Sequence, residues 1–161
     1  MPAPPVIYVL NGPNLNRLGK REPEIYGTQT LDDIAVILTD RADRLGIRLF
    51  IRQSNHEGHL IDWLHEAEDS GAGAVIINPG GFSHTSVALH DAVKAIRTPV
   101  LEVHLSDPDT RESFRHTDYV AMAATRVVKG KGVEGYVEAL DAAAALCKGA
   151  AEAKGQVSRG Y

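Results

Sequence analysis

Ala74-Val-Ile-Ile-Asn78-Pro-Gly-Gly-Phe-Ser-His84 joins a short unbroken apolar run to a polar, glycine-rich turn. A run of this length without polar alternation reads as a strand covered on both faces. Val6–Leu10 and Val100–Val103 are of the same kind, and Arg48–Ile51 and Arg126–Val128 complete a set of five. Helical spacing fills the intervals. Thr30 and Asp33 form a capping-box pattern, Leu31, Ile34, Leu38 and Leu45 make a face, and Gly46 ends it. Leu60, Ile61, Leu64 and Ala67 repeat the pattern before Gly71. Val87, Val93 and Ile96 repeat it before Pro99, and a last helix spans about Val133 to Leu146. Strand alternating with helix predicts an α/β chain, a five-stranded parallel sheet with helices on both faces and right-handed crossovers: a flavodoxin-like doubly wound, three-layer domain.

The chain has 161 residues, enough for one domain with a full core. Residues 1–148 form the expected single domain, and 149–161, where the period is lost, read as a frayed tail. A net charge of −4 argues against nucleic acid or an anionic membrane as partner, and a local arginine cluster would still admit a small anion. Cys147 is the single cysteine, which excludes an internal disulfide and a multi-cysteine metal site. Its Ala-rich setting reads as packing. Neither a leader nor an apolar span is visible, so a cytoplasmic protein is the default expectation.

In such sheets ligands lie beyond the carboxyl ends of the strands. Those ends run into Asn11-Gly-Pro-Asn14, Gln53-Ser-Asn-His-Glu57, Asn78 to His84, and His104-Leu-Ser106 continuing to Arg111 and Arg115. Amide, imidazole and guanidinium groups therefore gather along one edge. The segment from Asn11 to Gly27 is long and polar, and its glycines Gly19 and Gly27 suit the hinges of a lid. Gly12 with Gly19-Lys20 is not a phosphate loop, because six residues rather than four separate the glycines and Arg21 stands where a Ser or Thr is needed. Gly130-Lys-Gly132-Val-Glu-Gly135 matches the dinucleotide spacing but has no following strand, so close backbone packing is the better reading. His56 and His59 are three apart without a clear third ligand and read as surface capping. Glu102 and His104 share a strand face, so the carboxylate can orient the imidazole or serve as a structural acid. A tyrosine is a poor base at neutral pH, but a guanidinium such as Arg21 near Tyr26 favours the phenolate. A loop tyrosine packed on the sheet is the plainer alternative.

Asn11-Gly-Pro-Asn-Leu-Asn16, Arg21-Glu-Pro-Glu-Ile-Tyr26-Gly27, Gln53-Ser-Asn-His-Glu-Gly58, Asn78-Pro-Gly-Gly-Phe-Ser-His-Thr-Ser86 and Glu102-Val-His-Leu-Ser106 together resemble the type II 3-dehydroquinate dehydratases. The resemblance runs from about Val6 to Leu146, and no motif position is substituted. It implies anti elimination of water from 3-dehydroquinate through an enolate, giving 3-dehydroshikimate in the shikimate pathway, without cofactor or metal. It further implies Tyr26 as general base, Arg21 as the cation beside it, Asn14 as enolate stabiliser through a water, and His104 as general acid. Asn78, His84 and Arg115 would hold ring hydroxyls. The backbone of Leu105 and Ser106, with the Ser106 hydroxyl, would cradle the substrate carboxylate, supported by Arg111. Asp91 would come from a neighbouring subunit, in a homododecamer built from trimers. The other function class left open is a non-catalytic flavodoxin-like binding module. A receiver would need acids after the first strand, where Asn11-Gly-Pro-Asn14 has none.

Overall fold

The structure, a computed structural model, describes residues 2–20 and 22–158, apart from the side chains of Tyr26 and residues 156–158. Five strands, β1 (Val6–Asn11), β2 (Arg48–Gln53), β3 (Ala74–Asn78), β4 (Val100–His104) and β5 (Arg126–Lys129), form one parallel sheet in the order β2-β1-β3-β4-β5. The expected doubly wound, flavodoxin-like sheet is therefore present, with its switch point between β1 and β3. Each of the first four strands ends one or two residues later than its apolar run. The ladder bonds backbone, not side chain, so Asn11, Gln53, Asn78 and His104 are terminal strand residues. Pairing puts Asn11 beside both Gln53 and Asn78, so three amide side chains stand in a row across the sheet edge.

Alternation of side chains divides the core in two. Ile7, Val9, Ile76, Leu101 and Val103 point to the face covered by α2 (Leu31–Leu45) and α5 (Val133–Ser158). Tyr8, Leu10, Val75, Ile77 and Val100 point to the face covered by α3 (Glu57–Asp69) and α4 (Val87–Ala95). The reciprocal capping box of α2 is formed: the Asp33 N–H donates to Thr30 Oγ1 at 3.1 Å and the Thr30 N–H to Asp33 Oδ2 at 2.9 Å. The buried stripe of α2 is Ile34, Leu38 and Ala42, while Leu45 is exposed. In α4 the Ser86 hydroxyl caps the Leu89 N–H, which sets a register burying Leu89, Ala92 and Val93 and leaving Val87 outside.

Two expectations are corrected. The last helix does not stop near Leu146, because α5 continues to Ser158. Residues 148–154 are exposed, so the high helix propensity of Lys, Ala and Glu extends the helix past the last core contact at Cys147. Strand and helix do not alternate throughout either. Residues 105–125 connect β4 to β5 through turns, including Pro108–Thr110 and Ser113–Arg115, with no α-helix. Cys147 is buried against Gly73, and burial pushes its thiol up, consistent with packing.

The segment after β1 is more ordered than its composition predicts. It forms a turn at Leu15–Arg17 and the short helix α1 (Pro23–Tyr26). Leu15 and Leu18 are buried in the core under α2. Gly12 is required by close approach: its N–H donates to Asn78 O at 2.8 Å, and a Cβ there would lie 2.6 Å from Pro79 O.

A fully buried phenol ties α5 to the two central strand ends. Tyr136 donates to Asn11 Oδ1 at 2.7 Å and accepts from Asn78 Nδ2 at 3.0 Å. Burial holds that phenol far above its ordinary range, so it stays a neutral donor. Replacing Tyr136 by Phe leaves both amides short of a partner, which costs about 1–3 kcal/mol. The melting temperature should drop by roughly 5 °C. An unchanged value in a thermal melt would mean that the two amides re-pair.

Candidate active site

Beyond the carboxyl ends of β1, β3 and β4 lies an open cavity of about 230 Å³. Pro13, Asn14, Arg17, Asn78, His84, His104, Leu105, Ser106, Arg111 and Arg115 are among its walls. The structure thus brings together Asn14, Asn78, His84, His104, Leu105, Ser106, Arg111 and Arg115 from the chain segments that end and follow three strands, β1, β3 and β4. Arg17 is a wall residue that sequence reasoning missed. Three arginines in one cavity of an acidic chain make it suited to an anion.

Each position has a physical cause. Asn14 adopts a left-handed backbone (φ 68°), and its N–H donates to Asn55 Oδ1 at 3.0 Å. Gln53 Nε2 holds the same Asn55 oxygen at 3.1 Å and the Gly12 carbonyl at 3.1 Å. The Gln53-Ser-Asn block therefore braces the turn that presents Asn14. His56 occupies the N-cap of α3 without a side-chain cap bond; instead His59 Nδ1 pairs with Ser54 Oγ at 2.8 Å. Asn78 Nδ2 donates to the Tyr136 hydroxyl, and Asn78 Oδ1 accepts the Gly80 N–H at 3.2 Å. His84 Nδ1 lies 2.7 Å from the Thr117 carbonyl, so Nδ1 is the donor of that bond. Arg115 is steered by Glu112 at 2.6 Å.

The Gly130 and Gly132 N–H groups donate to the carbonyls of Ser106 (3.1 Å) and Leu105 (2.9 Å). With the Leu105 carbonyl committed to Gly132, the planar trans peptide turns the Ser106 N–H to the other side. The glycine motif thus fixes the peptides after β4, and Gly135 packs on Val128. Its reading as close packing is met.

His104 is strongly perturbed by its surroundings. Its Nε2 lies 2.9 Å from Glu102 Oε1 and 3.3 Å from Asp118 Oδ2, with Ser83 Oγ also within reach. Glu102 has no exposure and receives a bond from Ser83 Oγ at 3.3 Å. Burial drives the Glu102 carboxyl up to about 7, against the pull of His104. Burial alone would push His104 down, but hydrogen bonds and charge from Asp118 and Glu102 outweigh it and raise it to about 9. Asp118 is held low by His104 and by the Ala121 N–H, despite partial burial. Sequence spacing located the Glu102–His104 pair, whereas Ser83 and Asp118 carried no local signal.

The ligand atoms of Glu102, His104 and Asp118 lie within 4.8 Å of one another, the spacing of a possible cation site among the described residues. The 2.9 Å separation of Nε2 from Oε1 is that of a shared proton.

Three of the expected site residues fall elsewhere. Arg21 and the Tyr26 side chain lie outside the described residues. Asp91 is largely exposed on α4, paired with His90 at 3.1 Å, and is not a wall of this cavity.

The sequence pattern of the family described as "Dehydroquinase class II" matches residues 5–144. The chain belongs to the class II dehydroquinase family. Among class II dehydroquinase relatives, the 3-dehydroquinate dehydratase of Phenylobacterium zucineum is 57% identical over 142 residues, covering 88% of this chain and 97% of that protein. The 3-dehydroquinate dehydratase of Caulobacter vibrioides is 54% identical over 142 residues, with the same 88% and 97% coverage. The crystal structure of type II dehydroquinase from Propionibacterium acnes superposes with a TM-score of 0.84 at 43% identity, covering 87% of this chain and 96% of that one. That of Butyrivibrio crossotus gives 0.85 at 36% identity, covering 86% and 97%.

The raised His104 has a consequence for stability. The folded chain binds this proton more tightly than the unfolded chain, whose imidazole titrates near 6.5. The stabilisation is complete below that value and is lost as pH rises through about 9. Glu102, also raised, adds a loss between 4.5 and about 7. The melting temperature should therefore decline from pH 6.5 to 9, by the equivalent of a few kcal/mol at most. The decline should be smaller in His104→Gln. Parallel profiles for the two proteins, followed by calorimetry, would remove His104 as the cause.

Proposed function

We propose that this chain is a type II 3-dehydroquinate dehydratase, removing water from 3-dehydroquinate to give 3-dehydroshikimate. The observation that carries the reading is the His104 imidazole, held by the buried Glu102 and the half-buried Asp118 at the wall of an arginine-lined cavity within this family's fold. Beta-elimination from a hydroxyketone needs a base for the proton alpha to the ketone, a donor for the departing hydroxyl and a group to hold the enolate. His104 is the donor: its proton joins the hydroxyl as the carbon–oxygen bond breaks, and water leaves. Tyr26 is the base that takes the alpha proton, with Arg21 stabilising the phenolate. The electron pair passes through the enolate and becomes the ring double bond. Asn14 steadies that enolate through a water.

The substrate carboxylate sits on the Leu105–Ser106 peptide and the Ser106 hydroxyl, with Arg111 behind them. Asn78, His84 and Arg115 take the ring hydroxyls. Proton transfer between side chains completes the balance, so no cofactor is invoked. Asp91, exposed on this subunit, reaches a neighbour's site in a dodecamer of trimers. The shikimate pathway in the cytoplasm is the setting this reading implies; among the described residues no helix is long and apolar enough to cross a membrane.

Incubation with 3-dehydroquinate should raise the ultraviolet absorbance of the conjugated product, and folded protein without any increase would sink the proposal. Tyr26→Phe should lower kcat by about a hundredfold or more with the fold intact. Near-normal turnover would take the base role from Tyr26. Borohydride added with substrate should leave activity and mass unchanged; a labelled lysine would mean a Schiff-base route.

A further inference from the structure

Asp118 lies on the turn-rich connection between β4 and β5, fourteen positions beyond His104. The chain on either side of it is fixed to the turn that follows β3. The Tyr119 N–H donates to the Ser83 carbonyl at 2.8 Å, and His84 Nδ1 donates to the Thr117 carbonyl at 2.7 Å. The two oxygens of Asp118 have separate tasks: Oδ1 accepts the Ala121 N–H at 2.9 Å, and Oδ2 faces His104 Nε2 at 3.3 Å.

Two carboxylates therefore compete for one N–H, and their surroundings differ. Glu102 has no exposure, and its Oε2 lacks a hydrogen-bond partner among the described residues. A carboxylate so placed readily takes a proton. If it were the only acid present, the proton could pass from Nε2 to Glu102 and leave a neutral pair. Asp118 keeps 20% of its side chain in solvent and has a backbone donor, so it holds its charge. The other charged groups nearby are Arg111 and Arg115, which line the same cavity, and the Lys129–Asp109 pair on the β5 side.

We propose that Asp118 is the positioning residue that keeps His104 doubly protonated, Asp118 supplying the fixed negative charge and Glu102 supplying alignment. With Nε2 turned to the carboxylates, Nδ1 is the nitrogen left to serve a ligand in the cavity. The imidazolium can give up a proton and become neutral imidazole. A neutral imidazole could donate only by becoming an imidazolate, which is out of reach near neutral pH. The inference rests on His104 as the proton donor of the proposed reaction.

Asp118→Asn separates charge from structure. The amide oxygen can keep the Ala121 N–H, while the NH₂ group would donate to Nε2 and stabilise neutral imidazole protonated at Nδ1. In ¹⁵N spectra at pH 7.5, the parent should show both His104 nitrogens protonated. The variant should show one unprotonated nitrogen, with proton affinity reduced at least tenfold. Its kcat should fall by about a hundredfold while KM stays within a few-fold, and its melting temperature should decline less steeply between pH 6.5 and 9 than the parent's. An unchanged His104 titration in Asp118→Asn overturns the inference whatever happens to turnover. If the variant does not fold, a neutral His104 in the parent at pH 7.5 overturns it equally. Failure of the underlying reading looks different: His104→Gln would retain turnover while the Asp118→Asn spectrum still changed.

Discussion

One buried phenol constrains the whole carboxyl edge of the sheet. Tyr136 comes from the last helix, and its two partners come from the ends of the two central strands. An unpaired polar group in that position would be expensive, so the three side chains can be satisfied only when α5, β1 and β3 are all in place. The loops that carry Asn14 and His84 begin one or two residues from those amides. Positioning of the cavity is therefore coupled to docking of the helix that completes the fold.

A second constraint is electrostatic. The chain is acidic overall, yet its cavity is walled by Arg17, Arg111 and Arg115, and its imidazole is backed by two acids. With acids against the histidine and arginines among the walls, one cavity suits an anion while its imidazole keeps negative partners. Burial supplies the rest, because it strengthens the coupling between imidazole and carboxylates relative to water.

Much of this was legible in the sequence. The apolar runs marked the five strands because both faces of a parallel sheet are covered, and the i, i+2 relation of Glu102 and His104 put them on one face. The eight wall residues named from sequence were readable because strand ends in this fold converge. What escaped had no local period. Asp118 and Ser83 reach His104 through loop geometry alone, and Tyr136 looks like any apolar helix residue. Leu45 and Val87 matched apolar spacing but fall outside the buried stripes, since the caps at Thr30 and Ser86 set the helical phase. The reach of α5 to Ser158 carries no hydrophobic period, because propensity suffices for an exposed extension.

The segment after β1 divides into two parts. Leu15 and Leu18 belong to the core, and Gly12 is locked against Pro79, so the inner half is part of the scaffold. Beyond Gly19, residues Pro23, Glu24 and Ile25 are exposed. Substitutions in the inner half thus act on folding and on every downstream property together. Under the proposed function, substitutions at the exposed outer positions would act on the reaction and leave the buried core in place. Selection can then tune rate and robustness at separate addresses on one short stretch of chain.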